Sequence, residues 1–188
     1  SFANASFSLL VGKIQGTIVD YLMPPLGIGE LMLALIGAAI SRAVLVGLAL
    51  WAAMLAWPGA HVAPQHFWAV IAFGLLGAAM IGFVGLITSV WAEKFDHAAA
   101  VTNFVVTPLA LLSGTFYSID RLAPWFQSIA HANPVYYAIM GFRYGFIGTV
   151  DSTIDHPVLT ALLALVAVNI VLGLVTYRLL ASGWKLKA

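Results

Sequence analysis

The stretch LAPWFQSIAHANPVYYAIMGF, residues 122–142, decides how this chain folds. It carries no charge and is long enough for a membrane-crossing helix, which needs about 20 mostly apolar residues. Four of its members oppose that reading: Gln127, His131, Asn133 and Pro134. An Asn followed by Pro is a helix start, because the Asn side chain accepts from a first-turn N–H and Pro lacks only an N–H that would have no partner there. The stretch is therefore read as two short helices lying at or dipping into the outer membrane interface, within an outer re-entrant hairpin over residues 118–148. Ser118 or Asp120 can cap the first helix, and Asn133 caps the second with Pro134 in its first turn. Trp125, Phe126, Tyr136, Tyr137, Phe142 and Tyr144 supply aromatic rings of the kind that settle at headgroup level. Non-helical backbone in such a turn must be buried in protein or wet.

Working outward, four apolar runs are long enough to span. Residues 31–57 are apolar except at Ser41 and Arg42, and residues 67–91 carry no charge. Residues 98–117 include Asn103 and Pro108, and the run over 157–180 is polar, as far as Tyr177, only at Thr160, Asn169 and Thr176. The whole chain of 188 residues is 62% hydrophobic and 8% charged, with a mean hydropathy of +1.01, against about 25% charged in a soluble domain. The expected fold is all-α and polytopic, a single membrane domain with four transmembrane helices. Its formal charge of +1 offers no basic field for nucleic acid. The absence of cysteine removes disulfides, thiol nucleophiles and Cys-based metal sites.

Lys and Arg orient the spans, since cytoplasmic loops are enriched in them. Lys13, Lys94, Arg178, Lys185 and Lys187 fall on one side and Arg121 and Arg143 on the other, which places both ends of this sequence in the cytoplasm. A fifth span over residues 122–142 would put Lys185 and Lys187 outside. Ser1 to Gly12 lacks the basic start and cleavage site of a signal peptide and reads as the end of a span whose beginning is missing, so the chain is expected to be a fragment.

Several residues are candidates for function. Arg42 is the one charge well inside an apolar run, and intramembrane charges are functional candidates by default. With the outer interface at Trp57 it lies roughly 7 Å inside the inner one, within snorkelling reach. Two readings stand for it: a snorkelling or structurally paired arginine, or a contact for gating or substrate. Pro108 removes one backbone donor mid-span and leaves the Phe104 carbonyl without its usual partner, so a kink is expected, either a static bend or a hinge. Gly74, Ala78 and Gly82, and Ala39, Ala43 and Gly47, repeat at four-residue spacing and form seams for close helix packing. His61, His66, His97, His131 and His156 lack the spacing of a metal site. No phosphate-binding G-x-x-x-x-G-K-[ST] loop occurs, nor a G-x-S-x-G nucleophile turn.

The segment KIQGTIVDYL, residues 13–22, is mixed in polarity and precedes Pro24 and Pro25. Ile14, Ile18 and Leu22 repeat at i, i+4 and i+8, an apolar stripe with Lys13, Gln15, Gly16, Thr17 and Asp20 elsewhere around the helix. Such a helix lies in the interface as an anchor or docks into a groove of a soluble partner.

The order of elements and four motifs resemble the ABC-2 type transporter permeases, the membrane subunits of ATP-binding-cassette exporters. The motifs are KIQGTIVDYLMPPL (13–26), ISRAVLVG around Arg42, AEKFDHAAAVTNFVVTPLALLSGTFYSIDRLAPW (92–125) and NPVYYAIMGFRYGFIG (133–148). The drug and nodulation-factor branch is the most similar. The resemblance implies a bacterial inner-membrane subunit of six spans, paired with a second permease subunit, expected to be an identical copy, and served by two cytoplasmic ATPase subunits. ATP and Mg²⁺ would then bind the partner ATPase, with no cofactor, metal or catalytic residue in this chain. It also implies that residues 13–25 hold the coupling helix, with Lys13, Gln15, Gly16, Thr17, Asp20 and Leu22 meeting the ATPase. Arg42, Pro108, Asn133, Pro134, Tyr137 and Arg143 become candidates for gating or the export pathway. The cargo implied is amphiphilic, drug-like or of lipid and glycan type. The main rival is a secondary transporter or channel with no ATPase, since Pro-broken helices and a lone membrane arginine also occur there. An intramembrane enzyme would need a carboxylate cluster at one depth, whereas Asp20, Glu30, Glu93 and Asp96 all sit at the cytoplasmic border.

Overall fold

A computed structural model of the chain describes residues 2–17, 27–56, 63–114, 124–149 and 157–184. Every regular element among them is helical: α1 (Phe2–Gln15), α2 (Ile28–Leu55), α3 (Phe67–Trp91), α4 (Phe95–Val101), a π-helical turn (Thr102–Val106), α5 (Thr107–Leu111), α6 (Pro124–Ala132), α7 (Pro134–Ile147) and α8 (Pro157–Ser182). Three of these, α2, α3 and α8, are long and apolar enough to cross a membrane. Leu45, Leu48 and Leu50 on α2, and Leu163, Ile170 and Leu174 on α8, are exposed. Such side chains are at home against lipid tails.

The ends of these helices follow from local chemistry. At the start of α2 the Gly27 N–H donates to Glu30 Oε2 at 2.9 Å while the Leu31 N–H donates to the Gly27 carbonyl, so a first-turn carboxylate reaches back to an orphan donor and faces the positive helix end. α1 stops at Gly16, whose φ of 74° is the left-handed conformation that terminates helices and that glycine adopts without a side-chain clash. α8 begins with a proline, where the lost N–H has no helical partner.

Two expectations change in detail here. Within the run 98–117, the kink expected at Pro108 takes the form of a π turn: α4, the π turn and α5 follow one another from Phe95 to Leu111, and residues 112–114 leave the helix. The cause sits at Pro108. With no N–H there, the α-helical partner of the Phe104 carbonyl is missing, and the wider i→i+5 pattern of the preceding turn shifts the bonding register by one residue. The second correction concerns the boundary at residue 13. Lys13 and Gln15 belong to the last turn of α1, and the helix breaks at Gly16. The stripe from Ile14 to Ile18 therefore does not run along one continuous helix. Asp20 and Leu22 lie outside the described residues, as do Ser118, Asp120, Arg121, Lys185 and Lys187.

The chain divides into two units. The first gathers residues 1–43, 78–104 and 169–188. Its core joins Ala5 and Leu9 of α1, Ile36 and Ala39 of α2, Leu86 and Val90 of α3 and Leu180 of α8. Gly82 lies against Ile36 and Ala39, so two of the expected small-residue seams meet each other inside the chain. At Gly85 the approach is closer still: a Cβ there would stand 2.7 Å from the Phe2 carbonyl oxygen and 2.9 Å from the Ala5 Cβ. Leu10, Ala92 and Ala98 form a second apolar cluster, and Phe7 packs on Phe95 with ring centroids 5.7 Å apart.

The second unit gathers residues 44–77 and 105–168. Here α7 packs on α5 and α6 and along the first turns of α3. Ala138, Gly141 and Gly145 repeat at three- and four-residue spacing, on one face of α7. Gly77 lies against Ala138, a Cβ on Gly141 would overlap the Phe73 ring, and one on Gly145 would stand 2.9 Å from the Val70 backbone nitrogen. The His66 N–H donates to the Gly145 carbonyl at 2.9 Å, and the His66 and Tyr144 rings stack with centroids 4.7 Å apart.

Candidate functional site

The candidate residues fall into two groups, one in each unit. In the first unit, Lys13 is the last basic residue of α1. Its ammonium donates to three backbone carbonyls, those of Ala92 at 2.7 Å, Val90 at 2.8 Å and Ser89 at 3.4 Å. These carbonyls belong to the last turn of α3, where a helix leaves C=O groups unpaired and where its macrodipole favours a cation. Ser89, Val90 and Ala92 are all fully buried, and Lys13 itself is half-buried. Gln15, Gly16 and Thr17 follow at once and are exposed.

Arg42 is in the same unit. Its guanidinium is exposed and donates to Asn4 Oδ1 of α1 at 3.3 Å. Of the two readings offered above, this pairing favours the structural one. Lys94 and Arg178 also lie in this unit, whereas Arg143, exposed on α7, lies in the second.

In the second unit, Asn133 does what the Asn-Pro pair predicts and more. Its backbone is extended, its Oδ1 accepts from the Val135 N–H at 3.0 Å, and Pro134 opens α7. The other end of the same side chain, Nδ2, donates to the Leu109 carbonyl at 2.6 Å. Leu109 sits in α5 just beyond Pro108; the Pro108 and Ala110 carbonyls on either side accept from the Leu112 and Ser113 N–H groups, and the Leu109 carbonyl takes the Asn133 amide. With 4% of its surface exposed, Asn133 fastens the end of the broken helix to the start of α7. Tyr137, one turn on, donates through its hydroxyl to the His131 carbonyl at 2.8 Å, closing the corner between α6 and α7. The His131 and Tyr136 rings meet edge to face at 5.2 Å. Pro108 itself is exposed, as is Asn103.

A cavity of about 420 Å³ lies nearby in the second unit, lined by Trp68, Tyr144, Pro157, Val158, Leu159 and Leu162. Nothing in the linear order of the chain brings residue 68 to residue 157. The Lys13 carbonyl clasp, the Asn4 partner of Arg42 and the Leu109 partner of Asn133 were equally invisible to sequence reasoning. Each is a contact between elements rather than a pattern within one.

A chain of long apolar helices, with a broken one pinned to a helical hairpin by a buried asparagine, is built as a multi-pass membrane protein. It belongs to the ABC-2 type transporter family, whose profile matches residues 1–147. It is 33% identical to the inner membrane transport permease YadH of Escherichia coli K12 over 189 aligned residues, covering all of this chain and 71% of that protein. It is also 26% identical to nodulation protein J of Neorhizobium galegae over 71% of this chain and 47% of that protein. The corresponding protein of Sinorhizobium fredii matches at 26% over 72% of this chain and 50% of its own length.

Proposed function

We propose that this chain is the membrane-spanning part of an ATP-driven exporter of the bacterial inner membrane, working as a pair of permease subunits with two cytoplasmic ATPase subunits. ATP and Mg²⁺ bind the separate subunits, and this chain performs no covalent chemistry. The observation that carries the ATP-coupled reading is the Lys13 clasp. It fixes the end of α1 to the buried end of α3 immediately before residues 16–22, the segment assigned to the ATPase. A partner pulling on that segment therefore pulls on two helices rather than on a loose loop.

In this reading the first unit, with Lys13, Lys94 and Arg178, faces the cytoplasm and both ends of the sequence lie there. The hairpin of α6 and α7 faces outward and shapes the exit. The cargo is an amphiphile, drug-like or of lipid and glycan type. Co-purification with a cassette ATPase, lost on replacing Asp20 or Leu22 by Ala, is the expected result. Transport sustained by an ion gradient with no ATPase present would establish the rival secondary transporter instead.

A further inference from the structure

We infer that Lys13 is a positioning residue that makes the end of α1 and the corner after α3 move as one body, so that the nucleotide state sensed by residues 16–22 reaches α3 and α4 without slack. This rests on the ATP-coupled reading above. The contacts that join α1 to this corner differ in kind. Gly85 against Phe2 and Ala5, and Leu10 against Ala92 and Ala98, are matters of shape. Such surfaces resist compression but slide. The Lys13 ammonium is different, because its three carbonyls at 2.7, 2.8 and 3.4 Å come from three residues on either side of the helix end. Sliding α1 by even part of a turn would strand a charge and orphan buried acceptors, both of which are costly.

Position makes this contact decisive. Lys13 is three residues before Gly16, where α1 ends and where a Cβ would meet nothing within 4 Å. It is thus a polar tie between α1 and α3 within the last turn before the chain leaves the helix. Downstream, Ala92 leads directly into Glu93, Lys94 and α4, which packs on α1. A displacement entering at residue 17 is therefore delivered to the α3–α4 corner, and from there along the helical run that contains the π turn and Pro108.

These 188 residues contain no cysteine, so within them a label pair competes with no native thiol. Thr17→Cys and Lys94→Cys are both at exposed positions, and the Lys94 side chain makes no capping hydrogen bond. With the full permease and its ATPase in nanodiscs, the spin–spin distance is read without nucleotide and with ATP plus vanadate. The expected distance is unchanged between the two states when Lys13 is present. With Lys13→Met it shifts by about 5 Å, close to one helical turn, in one state relative to the other, and Lys13→Arg restores the fixed distance. A shift of that size with Lys13 in place overturns the inference even if Lys13→Met fails to assemble. So does an unshifted distance in Lys13→Met. Failure of the ATPase to bind at all would sink the functional reading instead, and the clasp is then read in nanodiscs without ATPase, where Lys13→Met must broaden the same distance distribution for the inference to survive.

Discussion

The two units hold themselves together by different chemistry. Among the described residues, the first contains Lys13, Glu30, Arg42, Glu93, Lys94, Asp96 and Arg178, while the second contains one charge, Arg143. The first relies on polar ties to helix ends, of which Lys13 is the strongest. The second relies on backbone-close packing at Gly141 and Gly145, on aromatic stacking at His66 and Tyr144, and on one neutral amide, Asn133. A charged tie depends on direction, since it holds only while its acceptors keep their places. A glycine seam depends on space, and an added side chain has none.

The largest effect should come from breaking the seam of the second unit. Gly141→Val places branched carbons in the volume of the buried Phe73 ring, and overpacking of this kind costs about 3 kcal/mol or more. Loss of monodisperse protein in size-exclusion chromatography is the expected result. Lys13→Met in the first unit comes next. It leaves three buried carbonyls without their donor, for a cost of about 2–3 kcal/mol, visible as a lower midpoint of thermal unfolding in detergent. Leu10→Ala, which thins the neighbouring cluster, should destabilise as well but leave the nucleotide response intact.

Asn133→Ala ranks third, losing a helix cap worth about 1 kcal/mol and the donor to the Leu109 carbonyl. Asn133→Asp sharpens the comparison. It keeps the cap but cannot donate to Leu109, so amide exchange should stay slow in the first turn of α7 and rise near α5. The smallest effect is expected at Arg42, whose tie to Asn4 is exposed. Arg42→Gln should change stability by no more than about 0.5 kcal/mol. A large loss of transport in Arg42→Gln with unchanged stability would restore the gating reading.

How much of this was legible in the sequence depends on the range of the interaction. The break in residues 122–142 was readable because Asn133 and Pro134 act on adjacent backbone, and α6 and α7 meet at Asn133. The apolar runs at 31–57, 67–91 and 157–180 correspond to α2, α3 and α8, the second with the same bounds and the others within three residues. Pro108 announced a distortion, yet its form was not readable, since the register shift spreads through the five residues from Thr102 to Val106. The end of α1 was misplaced for a related reason. A lysine reads as the border of an apolar run, but here it continues the helix because the α3 carbonyls, more than seventy positions away in sequence, receive it. Small-residue spacing found Gly82 and missed Gly85, Gly141 and Gly145, because a seam is set by the facing surface as much as by its own period.

The central claim is that nucleotide on a separate ATPase moves this chain. Amide hydrogen exchange of the full permease bound to its ATPase, with and without ATP plus vanadate, tests it without any knowledge of the cargo. The account predicts nucleotide-dependent exchange in residues 2–17 and 86–98, abolished when the Walker A lysine of the ATPase is replaced. Identical exchange in both nucleotide states, together with a change on imposing an ion gradient, would contradict it.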